Sequence, residues 1–193
     1  MSAIRIILTC VICLCFFSIS VQAEEMSISQ AYRALPHQRT QFNASHAKMG
    51  VLESKYLDHL FFVTDLAFRE RMLMLRAFQV GQDHRYIETY NKEIGNLLGS
   101  FEFIEPPTRV LGQVEKLVIE SVREQRAFFN IWYKARGTQQ YKNWQRNVAS
   151  HKYVQSSHQK LIQAYSVLKQ NYPQEIPHNQ QSFYDHLCAL DFL

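Results

Sequence analysis

Arg71 is the residue whose type and position most clearly indicate chemistry in this chain. It falls between Phe68 and Leu75 on the apolar face of a helical pattern that runs through residues 60 to 78. A guanidinium keeps its proton, so a buried Arg71 requires a carboxylate, carbonyl oxygens or a bound anion. Asp65 flanks the same face. We therefore expect a polar site inside the apolar core beside this helix.

A second polar side chain, Gln125, falls within an apolar stripe that includes Val122 and Phe129. A tight turn at Gly137 would place Gln125 opposite Ser150 of the following helix. We predict a polar core layer that binds a small polar or anionic ligand; the alternative is a set of groups that only satisfy one another and orient the helices. The predicted layer comprises Arg71, Gln125, Asp65, Ser150, His151 and His158.

The turn at Gly137 carries a second candidate site, because basic and aromatic residues alternate from 126 to 146 without an acidic residue. Such a hairpin would contact a partner protein, a polyanion or the headgroups of an anionic membrane. The alternative is an ordinary hairpin whose aromatic rings pack inward while its basic residues face water. The candidate surface comprises Arg126, Lys134, Arg136, Tyr141, Lys142, Trp144 and Arg146.

Eight histidines make a metal- or cofactor-dependent enzyme a third hypothesis. A di-iron bundle needs Glu-x-x-His pairs on two helices, and the only such string, residues 175 to 178, contains Pro177. His151 and His158 are two helical turns apart, roughly 10 Å, so they cannot hold one ion by themselves. Sequence motifs of hydrolases, phosphate-binding loops and zincins are also missing. We expect dispersed surface histidines, no metal site and no cofactor, which leaves enzymatic activity open.

Residues 1 to 23 have the pattern of a secretory signal peptide. Arg5 precedes an uncharged apolar run, and small residues occupy the two positions that signal peptidase reads, Val21 and Ala23. Cleavage would start the mature chain at Glu24 and leave one domain, residues 24 to 193, in the periplasm or outside the cell. An uncleaved membrane anchor is the alternative.

Cysteine content agrees with export, whereas the net charge indicates little about function. Three of the four cysteines would leave with the signal peptide, so Cys188 would have no partner for an intramolecular disulfide. Loss of Arg5 from the 21 basic residues leaves 20 against 17 acidic ones, a net charge of +3. That charge is too small to indicate binding to nucleic acid.

Glycine and proline are scarce, and the turn-forming stretches that contain them divide the mature chain into four long segments. No segment alternates with a period of two, so strands are not predicted. Short connections make neighbouring helices antiparallel, which predicts an all-α, up-down-up-down four-helix bundle with extra helical segments at residues 27 to 42 and 179 to 193. The four predicted helices are residues 46 to 80, 84 to 103, 108 to 136 and 138 to 172.

The apolar stretch from 60 to 78 is not predicted to cross a membrane, because it contains five charged residues. Each would cost roughly 2.5 to 3.5 kcal/mol on insertion scales. The sequence thus favours an exported, non-enzymatic accessory module that binds a small ligand or another exported protein. A structural or interaction protein that uses the hairpin, and a histidine-dependent enzyme, are the alternatives. The oligomeric state is not determined by the sequence.

Overall fold

The computed structural model describes residues 40 to 188, which are all-helical. The predicted signal peptide and the segment from 27 to 39 lie outside the described residues, as do residues 189 to 193. Between 40 and 188 there is no strand, and the all-α prediction is confirmed. The six α-helices are α1 (Val51–Gln79), α2 (Asp83–Ser100), α3 (Arg109–Lys134), α4 (Gln139–Arg146), α5 (Lys152–Asn171) and α6 (Pro177–Cys188), and one-turn 3₁₀ helices occupy Ala44–His46, Phe101–Phe103 and Val148–Ser150.

Helix α1 packs against three others, α2, α3 and α6, which agrees with its apolar character on several faces. Leu57, Leu60, Phe61 and Phe78 are fully buried along it, whereas Phe62 remains 61% exposed. The described part of the chain has no helix that is long and apolar enough to cross a membrane.

The start of α1 is held by two glutamates. The Glu53 side chain accepts a hydrogen bond from the Gly50 amide at 2.9 Å and another from the Tyr172 hydroxyl at 2.7 Å. Glu175, in the turn before α6, accepts the amides of Lys48 and Met49 at 2.6 and 2.7 Å. These bonds join the beginning of α1 to the α5–α6 turn, so two parts of the chain that are distant in sequence are fixed together.

The prediction of one continuous helix from 138 to 172 is wrong, because the backbone is not α-helical between α4 and α5. Asn147 adopts φ −146° and ψ 79°, outside the helical region. The Ser150 hydroxyl donates to the Asn147 carbonyl at 2.9 Å, and the His151 ring accepts the Tyr153 amide at 3.2 Å to begin α5. The Ser150 and His151 side chains thus supply alternatives to the helical hydrogen bonds without a glycine or proline.

Helices α3 and α5 make the most extensive contact between any two of the described helices. An aromatic cluster fills the core where α1, α3 and α4 meet. Trp132 stacks on Phe78 with ring centroids 4.2 Å apart, and its indole N–H donates to the Tyr141 carbonyl at 3.2 Å. The short helix α4 is therefore fixed to the core through both its backbone and its Tyr141 ring.

Candidate ligand-binding cleft

Arg71, the centre of the predicted polar layer, is buried as the sequence indicated, with 2% of its surface exposed. Its guanidinium carbon lies 4.6 Å from the centroid of the Phe68 ring, and its Nη2 lies 3.7 Å from the Met72 sulfur. Tyr90 of α2 is buried close to the charges of Arg71 and Arg126. Burial raises the pKa of the Tyr90 phenol, while those two cations act in the opposite direction.

Gln125 is also buried, and it belongs to a hydrogen-bonded group between α3 and α5. Its side-chain amide donates to the Ser157 hydroxyl at 2.9 Å, and the hydroxyls of Ser157 and Ser121 lie 2.7 Å apart. Ser150 is exposed instead of facing Gln125. The predicted pairing of Gln125 with Ser150 is wrong: the actual partner, Ser157, lies two helical turns further along the chain. The reason is that α4 and the break after it separate Gly137 from α5, and the sequence did not indicate that break.

The remaining members of the predicted layer lie in other places. The His151 ring packs against Phe128 and Trp144, at centroid distances of 4.8 and 5.2 Å, and burial, together with Lys152, lowers its pKa. His158 is half-buried on α5. Asp65 pairs with α6 and points about 120° away from Arg71, since the two are six residues apart on one helix. The structure therefore separates the predicted residues: Arg71 lies on α1 near Tyr90 of α2, Asp65 at the α1–α6 contact, Gln125 at the α3–α5 contact, and Ser150 and His151 at the start of α5.

The hairpin surface presents charge to solvent but few aromatic rings. Tyr141 is 8% exposed, and its hydroxyl donates to Asp83 at 3.0 Å. Trp144 is half-buried, and Arg126 donates to the Asn91 side chain at 3.0 Å. The exposed members of the candidate surface are the basic residues Lys134, Arg136, Lys142 and Arg146.

A cleft that the sequence did not indicate lies between α1, α6 and the chain before α1. It has a volume of about 320 Å³, which is near the lower end of the range for small-molecule sites. Helix α1 supplies most of its polar side chains, at the spacing of three to four residues that places them on one side of a helix. The cleft is lined by Gln41, Phe42, Lys55, Asp58, His59, Phe61, Phe62, Asp65 and His186.

Hydrogen bonds to α6 hold the segment that closes one side of the cleft. The Thr40 amide donates to the Asp185 carboxylate at 3.0 Å, and the Asn43 amide donates to the Asn179 side chain at 2.9 Å. Phe42, between them, packs edge-on against Phe61 with centroids 5.8 Å apart. The wall formed by residues 41 and 42 is thus a positioned part of the cleft.

His186 is the most buried polar residue of the cleft, with 2% of its side chain exposed. Its ring stacks on Phe61 at a centroid distance of 4.6 Å and an interplanar angle of 9°. Its Nδ1 lies 2.9 Å from Asp65 Oδ1, and because a carboxylate only accepts hydrogen bonds, Nδ1 carries the proton. In the neutral ring, Nε2 is then left as a hydrogen-bond acceptor.

The Nε2 atoms of His186 and His59 are both buried and make no hydrogen bond within the described chain. A buried polar atom without a partner costs about 1 to 3 kcal/mol, and such atoms in a native protein call for a ligand, a water or a functional role. His59 and His186 both line this cleft. These two nitrogens can form hydrogen bonds with a molecule that enters the cleft.

The expectation of dispersed surface histidines fails for His186, which is buried. Among residues 40 to 188, no three histidine, cysteine or acidic side chains are grouped so that they could hold a metal ion. The polar stripe on α1 could have been recognised from the sequence, because its members Lys55, Asp58, His59 and Asp65 lie on one side of the helix. Nothing in the sequence indicated that His186, 121 residues after Asp65, would join them in the cleft.

The chain was compared with protein family models, with curated protein sequences and with solved structures, and none of them matches it. The chain's own residues and their geometry are therefore the basis for a proposed function.

Proposed function

We propose that the protein is an exported helical binding module that holds a small ligand in the α1–α6 cleft. The observation that carries the proposal is the pair of buried imidazole nitrogens, His59 Nε2 and His186 Nε2, which lack hydrogen-bond partners in the described chain and line one cleft. A volume of about 320 Å³ suits a small organic molecule. The His186–Asp65 pair orients one of the two nitrogens before any ligand arrives.

The proposed architecture is the up-down-up-down bundle, with α1, α2, α3 and α5 as its four long helices and α4 and α6 packed onto them. The connection of three residues between α1 and α2 supports an antiparallel pair. Export to the periplasm or the extracellular space is supported by the signal-peptide pattern of residues 1 to 23 and by the single cysteine that would remain after cleavage.

Contact between the hairpin and an anionic protein or membrane surface is a second candidate function. It is favoured by the exposed basic side chains of Lys134, Arg136, Lys142 and Arg146, which lie within a stretch that contains no acidic residue. Because Tyr141 packs inward, the affinity of the hairpin for such a surface would come mainly from electrostatic attraction. Such contact would weaken steeply as salt is added.

A fragment screen by protein NMR tests the cleft directly. We expect the fragments that bind to shift the backbone amides of residues 55 to 65 and of His186. Phe62→Ala removes an exposed wall of the cleft and should weaken these fragments. Phe103→Ala is the matched control, because Phe103 is 88% exposed and does not line the cleft.

Three outcomes are informative. Shifts confined to the cleft, weakened by Phe62→Ala but not by Phe103→Ala, support the binding module. Fragments that perturb only the surroundings of Arg71 or Gln125 would move the site to the polar core. A screen without any binder would end the proposal of a small-molecule site.

A further inference from the structure

Basic and acidic residues are distributed unequally along the chain. Residues 125 to 174, which cover the end of α3 and all of α4 and α5, contain eight basic residues and no acidic one. The remaining residues between 40 and 188 contain ten basic and fourteen acidic residues. The small net charge of the whole chain therefore conceals a strong excess of positive charge in one part of the fold.

Helix α4 is the meeting point of the other elements at one end of the described domain. The Gln145 side chain donates to the Phe78 carbonyl, in the last turn of α1, at 2.9 Å. Tyr141 contacts both the start of α2 and the end of α3. The Trp144 ring lies 5.2 Å from the ring of His151, which precedes α5. We call this region the α4 end; it comprises the last turns of α1 and α3, the first turns of α2 and α5, and α4 itself.

Several cations of the α4 end are exposed and form no ion pair with a described residue. They are Lys134, Lys142, Arg146 and Lys152. Lys142 and Arg146 are four residues apart, so they share one side of α4, away from the buried Tyr141 ring. Lys134 ends α3 and Lys152 begins α5, so these charges come from three consecutive helices.

Acidic groups at the α4 end do not neutralise these cations. Asp83 is fully buried, accepts a hydrogen bond from the Tyr141 hydroxyl and lies 3.9 Å from the Nε atom of Arg136. Arg136 and Asp83 therefore add no net charge together. Glu88 is exposed, but it lies in the second turn of α2. The four cations thus face solvent with one exposed carboxylate in this part of the described chain.

The aromatic rings of the α4 end face inward, and this determines which kind of partner fits. Tyr141 is buried, and Trp144 is half-buried against Phe128 and His151. A protein partner gains most of its binding energy from a few aromatic and arginine anchors in the buried centre of the interface. An anionic bilayer needs no such anchors, because its lipids diffuse laterally and bring phosphate groups to cations at any spacing. Clusters of about four to eight basic residues are typical of surfaces that bind anionic lipids.

We infer that the α4 end binds the anionic lipid headgroups of a membrane surface, with its lysines and arginine against the lipid phosphates and no aromatic side chain inserted. The inference rests on the second candidate function, contact with an anionic surface, and specifies its partner. It is independent of the α1–α6 cleft, because none of the four cations lines that cleft.

Sedimentation with lipid vesicles measures this contact. The mature chain, residues 24 to 193, is mixed with vesicles of phosphatidylcholine alone and with vesicles that contain about 30% phosphatidylglycerol or phosphatidylserine. We expect no binding to the neutral vesicles and equal binding to both anionic ones, because the attraction is to charge. Binding should be lost as the salt concentration rises from about 0.1 to 1 M, since the Debye length falls from about 10 to about 3 Å.

Two double variants locate the binding surface. Lys142→Gln with Arg146→Gln removes two exposed cations of α4 and should weaken binding to anionic vesicles about 25-fold, at about fivefold for each charge. Arg109→Gln with Lys116→Gln is the matched control, because it removes one arginine and one lysine that are exposed near the start of α3. Lys116 and Lys134 are separated by about 27 Å along that helix. The control should therefore keep the wild-type affinity within about twofold.

Poly-L-glutamate imitates an acidic protein surface and separates failure of the lipid inference from failure of the second candidate function. If the chain binds poly-L-glutamate but no vesicles, the lipid inference is overturned and the second candidate function stands as contact with an acidic protein. If the chain binds neither, both fail, while the binding module in the cleft is unaffected. Equal weakening by the two double variants, or equal binding to neutral and anionic vesicles, would also overturn the lipid inference.

Discussion

Replacement of Glu175 by glutamine should destabilise the domain strongly although the two side chains have the same shape. Glu175 is 3% exposed. One of its carboxylate oxygens accepts the amides of Lys48 and Met49, and the other accepts the Asn179 side-chain amide at 3.0 Å. Asn179 in turn pairs with both the amide and the carbonyl of Asn43, at 2.9 and 3.2 Å. Its orientation is therefore set by the backbone of Asn43.

A glutamine at 175 can keep one oxygen on the two backbone amides, but those bonds lose their charge. Charge-assisted hydrogen bonds contribute about 1.5 to 3 kcal/mol each and neutral ones about 0.5 to 1.5 kcal/mol, so two such changes remove about 2 kcal/mol. The NH₂ group of the glutamine would face the side-chain NH₂ group of Asn179, and this contact between two donors would add about 1 to 2 kcal/mol to the loss of stability. We expect Glu175→Gln to lower the free energy of unfolding by about 3 to 4 kcal/mol, which corresponds to a fall in Tm of about 10 °C for a domain of this size.

Urea denaturation followed by circular dichroism at pH 7 measures the loss of stability, and hydrogen exchange at Lys48 and Met49 shows where it arises. Glu88→Gln is the control and should change the free energy of unfolding by no more than about 0.5 kcal/mol. A cost of less than about 1 kcal/mol for Glu175→Gln, or unchanged exchange protection of those two amides, would contradict the stabilising role assigned to Glu175.

Three further results are expected. Ser157→Ala removes the acceptor of the Gln125 amide and the partner of the Ser121 hydroxyl, so urea denaturation should show a loss of about 1 to 3 kcal/mol in the free energy of unfolding. Ser166→Ala is the control and should cost under about 0.5 kcal/mol, because the half-buried Ser166 makes only a solvent-exposed hydrogen bond to the Ile162 carbonyl. Burial, with hydrogen bonding to Asp83, raises the pKa of Tyr141 from 10.0 to about 12, so its contribution to stability is complete below pH 10 and is lost as the pH rises through 12. The free energy of unfolding should therefore fall between pH 10 and 12, and Tyr141→Phe should make that fall shallower; an unchanged slope would contradict the assignment. Mass spectrometry of the protein recovered from its own host should find Glu24 as the first residue, and an intact chain beginning at Met1 would contradict cleavage.

Much of the fold could be predicted because the relevant signals are local. Turn-forming stretches marked the bounds of α1, α2 and α3, and the period of the apolar residues correctly indicated that Arg71 and Gln125 are buried, at 2% and 1% exposure. Helical periodicity depends on residues three and four positions apart, so it can be read directly from the sequence. The candidate site was less predictable, because only its α1 side forms a local pattern.

The break between α4 and α5 shows where local signals end. Residues 147 to 151 contain no glycine or proline. The chain turns there because the side chains of Ser150 and His151 form hydrogen bonds with the backbone once α4 is packed on the core. That turn moves α5 along α3, so Ser157 and not Ser150 meets Gln125.

The sequence was enough to predict the all-helical structure of residues 40 to 188, three of its long helices, and the burial of one arginine and one glutamine, because amphipathic spacing alone decides which side of a helix is buried. Which polar groups meet depends on tertiary packing. His186 reaches Asp65 across 121 residues, and Glu175 reaches Lys48 across 127, through packing that no local spacing records. The cleft exists because α6 and the chain before α1 converge on the polar stripe of α1.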